Sequence, residues 1–274
     1  MTAIALPSLG STELSWIIAV HQSRDVLRKR WVIAYAIVLA VAGDLLLRLA
    51  GNGPSALVSL LNVALLLIPL IALILGSASL YSAREVTELL LVQPIPRRSL
   101  FIGLYFGLTV PLAAATAVGL ALPFVIERAL DPTTVPMLAM LVAVSVLLVC
   151  VFTALAFLVT VSVHDRARGL GVAILMWLGM GILYDGVVLA IATAFRDWPI
   201  ERGMLAAMAL NPIDLARTML LLRLDVAALM GYTGAVFRAA FGTTAGATIA
   251  MLVLGIWVVV PWWLGARAFD RRDF

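Results

Sequence analysis

Residues 65–75 read Leu-Leu-Leu-Ile-Pro-Leu-Ile-Ala-Leu-Ile-Leu, without one polar side chain, inside an apolar run from about 57 to 81. In a bilayer the backbone of such a run has to satisfy its own hydrogen bonds, which leaves an α-helix or a closed barrel. Barrel strands alternate polar and apolar residues over about ten positions, and this run does not alternate. It also reaches the roughly 20 residues that a helix needs to cross the hydrocarbon core. Five further runs do so too, at approximately 32–50, 99–126, 136–163, 170–195 and 246–267. With 64% hydrophobic residues, 12% charged residues and a mean hydropathy of +1.11, the chain lies far from soluble composition. The sequence predicts an all-α polytopic membrane protein: six transmembrane helices forming one membrane domain over 1–274.

The basic residues predict its orientation. If both termini lie on one side, that side holds Arg24, Arg28, Lys29, Arg30, Arg84, Arg97, Arg98, Arg166, Arg168, Arg267, Arg271 and Arg272, twelve of the 19 Lys and Arg. The positive-inside bias makes it cytoplasmic. The pI of about 9.7 is then a topogenic charge rather than a nucleic-acid footprint, and no nucleic-acid partner is expected. Residues 13–30 predict an interfacial helix on the inner leaflet, with Leu14, Ile17 and Ile18 on one face and a basic end. The first 23 residues hold no Lys or Arg to make a charged leader, so the first span is expected to do the targeting. Cys150, the single cysteine, reads as small apolar packing.

Between the second and third spans, Ser82 and Glu85 fit a capping box, and Pro94 and Pro96 stop the helix they would open. This predicts a short cytoplasmic helix, acidic at its start (Glu85, Glu88) and basic after its end (Arg97, Arg98); a surface loop obeying charge bias fits the spacing as well. The 164–169 connection, with His164, Asp165, Arg166 and Arg168, is a second candidate cytoplasmic contact. The only lysine, Lys29, lacks a Gly-rich turn before it, so no P-loop is present and ATP hydrolysis is expected in another polypeptide.

On the outer side, the segment 196–245 is half apolar. Asn211 predicts an N-cap with Pro212 at the first helical position and Asp214 in the first turn. The helix would carry Leu215, Met219 and Leu220 on one face and Arg217 and Arg223 on others, in the outer interface or against the bundle, ending near Gly231. Tyr232 to Gly234 reads as a turn, and Ala235 to Phe241, including Phe237, as a short second helix. Met204, Met208, Met219 and Met230 read as apolar filler, with a Cu(I) relay as the minor alternative; no metal site is assigned. Asp185 in span five should face a cavity or a partner rather than lipid, and Asn62 in span two is a milder case. Asp44 and Arg48 are spaced to pair. Gly103 and Gly107, or Gly242 and Gly246, have the spacing that permits close helix contact, as in a dimer seam. One acid in the membrane without a nucleophile, a second carboxylate or a metal cluster offers no reaction centre, so the chain is not read as an enzyme.

Glu85, Glu88-Leu89-Leu90, Gln93-Pro94 and Arg97, joined to an N-terminal helix ending Arg-Asp-Val-Leu-Arg-Lys-Arg-Trp, resemble the permease subunits of the second class of ABC exporters. The chain departs at Gly103-Leu104, where that family often has Gly-Lys. The resemblance implies that 82–98 contains a coupling helix seated on a cytoplasmic ABC ATPase, with Arg84, Glu85, Glu88, Gln93, Arg97 and Arg98 as its contacts. It also implies a homodimer, with ATP and Mg bound by the ATPase and no cofactor in this chain. The segments 211–217 and 230–237 are similar to the NosY family of permeases, which serves maturation of nitrous oxide reductase. That likeness implies a NosF-like ATPase inside, and outside a NosD-like periplasmic protein docked on Asn211, Pro212, Asp214, Arg217, Arg223, Gly231, Tyr232, Gly234 and Phe237. The location implied is the bacterial inner membrane, with both termini cytoplasmic. A generic exporter permease for a small molecule or ion, or a noncatalytic anchor for a periplasmic protein, remain the alternatives.

Overall fold

The computed structural model describes residues 11–50, 53–83, 96–194, 201–223 and 244–271. Every regular element among them is helical: α1 (Ser11–Arg28), α2 (Arg30–Ala50), α3 (Gly53–Ser82), α4 (Arg97–Ile126), α5 (Thr134–Ser162), α6 (Arg166–Leu178), a π-turn (Gly179–Leu183), α7 (Tyr184–Ala194), α8 (Glu201–Ala209), α9 (Pro212–Arg223) and α10 (Thr244–Asp270). Six helices among the described residues are long and apolar enough to cross a membrane, with α6, the π-turn and α7 acting as one span, Arg166–Ile191. The six expected spans are present. The fifth starts four residues earlier than expected, because the Asp165 carboxylate accepts the Arg168 N–H at 2.8 Å and caps the helix there.

The central helix is α5, packed by α3, α4, α10 and α9. Its apolar residues all round (Leu148, Val149, Val151, Phe152, Ala154, Phe157) mark a core helix. Around Phe101 an aromatic group draws α4, α5 and α10 together: Phe157 lies edge-on at 5.5 Å, Phe269 at 5.6 Å and Trp262 at 6.1 Å. Trp262 therefore packs in the bundle, whereas Trp31 is exposed.

The N-terminal helix docks differently from the expectation. Ile18, Ala19, Gln22 and Val26 turn inward, while Trp16 and Ile17 face out. A Cβ on Gly103 would lie 2.6 Å from Ile18, and one on Gly107 would lie 2.5 Å from Gln22. The Gly103/Gly107 pair thus accepts α1 of the same chain and is not a seam between copies. The Asp44–Arg48 pair is present, and Arg48 also reaches Glu127 at 2.9 Å.

Candidate functional site

The outer helices fold back into the bundle. Asn211 Oδ1 accepts the Ile213 N–H at 3.0 Å and the Asn211 carbonyl accepts the Leu215 N–H at 3.1 Å, so Asn211 caps α9 with Pro212 at the first helical position. Its amide Nδ2 then donates to the Met180 carbonyl at 2.7 Å, inside the π-turn of the fifth span. A π-turn shifts carbonyl pairing by one residue and is common at functional positions. Met180 stands 11 residues before Ile191, the end of that span, or ~16 Å at 1.5 Å per residue. The indole of Trp257, near the middle of α10, donates to the Ala209 carbonyl at 3.0 Å. The turn between α8 and α9 therefore sits at mid-bundle depth, where its open carbonyls find donors from the spans.

Of the two positions the sequence allowed for this helix, the bundle is the one occupied, and the outer interface is not. Ile213, Leu215, Ala216, Thr218, Met219 and Leu220 are all buried, with Leu215 and Met219 against Ala250 and Leu254 of α10. The physical reason is composition: the face is too apolar to rest beside water. Met208 and Met219 are packed, and the Thr218 hydroxyl points at the Met208 sulfur at 3.6 Å. Asn211, Pro212 and Asp214 are buried as well. A docked protein would meet them only by displacing α9, and otherwise feels them only through the helix that they hold.

Beneath α9 lies an ion cluster. Arg217 donates to both Asp185 of the fifth span and Asp214 of its own helix, the latter at 3.3 Å. Asp185 was expected to face a cavity or a partner; its partner is Arg217, 32 residues away on α9. Burial, with the Asp185 carboxyl beside it, pushes Asp214 up to about 7, while Arg217 pulls the other way. The Tyr184 hydroxyl, one residue before Asp185, donates to the Ala207 carbonyl. Asn62 is exposed and donates to the Val58 carbonyl of its own helix at 3.2 Å.

At the basic end, Arg84, Glu85, Glu88 and Gln93 lie outside the described residues, and what flanks them is clear. Ser82 closes α3 by donating to the Ala78 carbonyl at 2.8 Å. Tyr81 donates to the Val163 carbonyl at 2.9 Å, so the end of α3 grips the turn before α6. Arg97 donates to the Asp270 carbonyl at 3.1 Å and Arg98 pairs with the Asp270 carboxylate at 3.0 Å, tying α4 to the end of α10. Among the expected docking residues, Gly231, Tyr232, Gly234 and Phe237 lie outside the described residues, and Arg223 is placed by its backbone alone.

Sequence reasoning missed two links. Trp177 Nε1 donates to the Leu66 carbonyl at 3.0 Å, joining α3 to the fifth span one turn from the Met180–Asn211 bond. The Arg217–Asp185 pair did leave a signal: an acid inside a span calls for a cation, and Arg217 follows Asp214 by three positions on a helix otherwise apolar toward the bundle.

Five spans around a central sixth, a basic end organised for contact and a helical pair re-entering from the other end define a polytopic membrane subunit. The chain belongs to the ABC-2 family of transporter proteins, whose model matches residues 16–274. It is similar to the probable ABC transporter permease protein NosY of Pseudomonas aeruginosa, with 29% identity over 273 residues covering 94% of this chain and 98% of the relative. The protein of the same description from Stutzerimonas stutzeri is 27% identical over 279 residues, covering 94% and 98%. This is a multi-pass membrane permease subunit of an ABC transporter, a class of transporter that works with an ATPase.

Proposed function

We propose that this permease couples ATP hydrolysis by a separate NosF-like cytoplasmic ATPase to a NosD-like periplasmic partner, in copper-site assembly of nitrous oxide reductase during denitrification. It does so as a homodimer in the bacterial inner membrane, with both termini cytoplasmic. The ATPase, with its ATP and Mg, seats on a coupling helix within 82–98 through Arg84, Glu85, Glu88, Gln93, Arg97 and Arg98.

The observation that carries this reading is a continuous set of bonds from the basic end to the outer helices. The segment after Ser82 is the direct extension of α3, which Tyr81 clamps to the 163–165 turn. Leu66 of α3 holds Trp177, and within one turn Met180 holds Asn211, with Asp185 and Arg217 above. A displacement of α3 by the ATPase is passed to α9, and α9 leads into 224–243, the stretch offered to the periplasmic partner. Swinging two states from 1:99 to 99:1 needs about 5.5 kcal/mol of differential binding, within reach of ATP-driven closure. The second copy fits against spans two and five, where Asn62 is exposed and none of the window of Arg166–Ile191 is buried.

The test is charge reversal at the coupling contacts, Glu85→Lys with Glu88→Lys, in the transporter co-expressed with its ATPase and reconstituted in nanodiscs. The expected result is loss of permease-stimulated ATP hydrolysis with the same elution profile and helical content. Full stimulation in the double variant would sink the coupling assignment. Co-purification from native membranes separates the partners: recovery of an ATPase with a periplasmic protein supports the reading, and recovery of the ATPase alone points to a generic exporter.

A further inference from the structure

Two cavities adjoin the elbow between α1 and α2, of about 500 Å³ and about 310 Å³. Both are lined by Lys29, Ser79 and Ser82; Arg166 lines the smaller one and Asp25 only the larger. Lys29 is the elbow residue itself, between Arg28 at the end of α1 and Arg30 at the start of α2. Arg166 opens the fifth span and Ser82 closes the second, so the smaller cavity lies at the level where the spans leave the hydrocarbon. Its remaining walls are apolar, with Trp31, Leu75 and Leu108 among them. Among the described residues, no carboxylate stands within ion-pair reach of Lys29 or Arg166.

Two cations without an ion-pair partner among the described residues, facing a cavity that is polar on one side and apolar on the other, call for a ligand with both characters. A free inorganic phosphate would satisfy the cations and leave the Trp31 and Leu108 wall wet. A soluble protein segment would have to enter at headgroup depth. A phospholipid meets both demands, because its phosphodiester sits at the level of the span ends and its acyl chain continues along the apolar wall. Basic pockets between membrane helices recognise anionic headgroups in this way. Asp25 keeps the larger cavity less favourable for negative charge, which puts the phosphate on the Arg166 side.

We infer that the 310 Å³ cavity between Lys29 and Arg166 is a binding site for an anionic phospholipid, with its phosphate held by these two side chains and the Ser79 hydroxyl. The bound lipid braces the α1–α2 elbow against the ends of α3 and the fifth span. The site rests on the chain's being a membrane permease and not on the identity of its ATPase or periplasmic partner.

Native mass spectrometry of the purified full-length chain, titrated with phosphatidylglycerol and separately with phosphatidylcholine, tests it. One saturable phosphatidylglycerol is expected, weakened about fivefold by Lys29→Gln or Arg166→Gln and about 25-fold by both, from the usual worth of a basic residue near an anionic surface. Lys29→Arg should restore binding. Ala78→Leu, which narrows the cavity without changing charge, should weaken it too, and this arm reads the site independently of electrostatics. Arg168→Gln, at the same end of the chain but not lining the cavity, should leave affinity unchanged. An equal loss in Arg168→Gln would show nonspecific surface attraction and overturn the site. Displacement of the lipid by millimolar inorganic phosphate, or equal binding of phosphatidylcholine, would overturn it as well.

Discussion

Asp214 makes the docking of α9 depend on pH in a direction that can be worked out. Its carboxyl is raised from the ordinary 3.8 to about 7 in the docked helix, through burial and the neighbouring Asp185. With α9 undocked, Asp214 returns to water and to its ordinary value. The docked state therefore holds the proton more tightly, and its advantage is fully present below about pH 4 and is lost as pH rises through about 7. At about 1.4 kcal/mol per pH unit across that window, docking weakens by about 2–3 kcal/mol between pH 5 and pH 8, on the order of a hundredfold in the undocked population. Asp214 has a side chain only 11% exposed, so little screening reduces this. The groups that face it are Asp185, Arg217 and Tyr184. Hydrogen–deuterium exchange of peptides covering 213–221, in nanodiscs at pH 5 and pH 8, reads the effect once each rate is divided by its intrinsic rate. Asp214→Asn should flatten the difference to threefold or less. Equal protection of the wild-type chain at both pH values would refute the reasoning, and so would a full pH effect surviving in Asp214→Asn.

Asn211→Ala removes a helix cap and strands the Met180 carbonyl, which should cost about 2–3 kcal/mol of α9 docking. Asn211→Asp keeps the cap but sets a carboxylate oxygen against the Met180 carbonyl, so in the same exchange assay it should cost at least as much. Gly107→Ala brings a methyl against Gln22 and 3.1 Å from the Ala19 carbonyl, an overpacking of about 1–3 kcal/mol; limited proteolysis should cut α1 faster than in Gly171→Ala, where the space is open. Arg98→Ala, with a side chain 78% exposed, should shift the melting temperature by no more than the worth of a surface pair, about 0–1 kcal/mol.

The six spans were legible because a bilayer imposes a length and an apolarity that few other contexts demand, and only their ends moved. Those ends are set by single contacts such as the Asp165 cap, which hydropathy does not weigh. The depth of α9 was not legible. Twelve residues carrying Asp214, Arg217 and Arg223 read as a helix in the outer interface or against the bundle, and the local pattern does not choose between the two. The Gly103/Gly107 pair shows the same division: spacing announces a close approach, while the partner, α1, is a matter of tertiary placement. Motifs name a capability of one segment, and the fold decides which segment uses it.

A bundle built for stability alone gains little from three ionisable groups beneath α9. Replacing buried ion pairs by apolar residues of similar volume is often neutral or stabilising by about 1–4 kcal/mol. Leaving one member without its partners is what costs, because the charge that remains is desolvated. Such a cluster discriminates between two positions of α9 more sharply than apolar packing does, since a small shift of the helix separates Arg217 from Asp185 while Leu215 and Met219 still touch α10. The variant carrying Asp185→Leu, Asp214→Leu and Arg217→Met together should therefore melt at or above the wild-type temperature in nanodiscs and still assemble with its ATPase. Under the proposed function, its permease-stimulated ATP hydrolysis should lose any response to the proposed periplasmic partner, because α9 no longer distinguishes its two positions. An unstable triple variant would make the cluster a structural necessity, and a stable one that keeps the response would place the transmission elsewhere in the bundle.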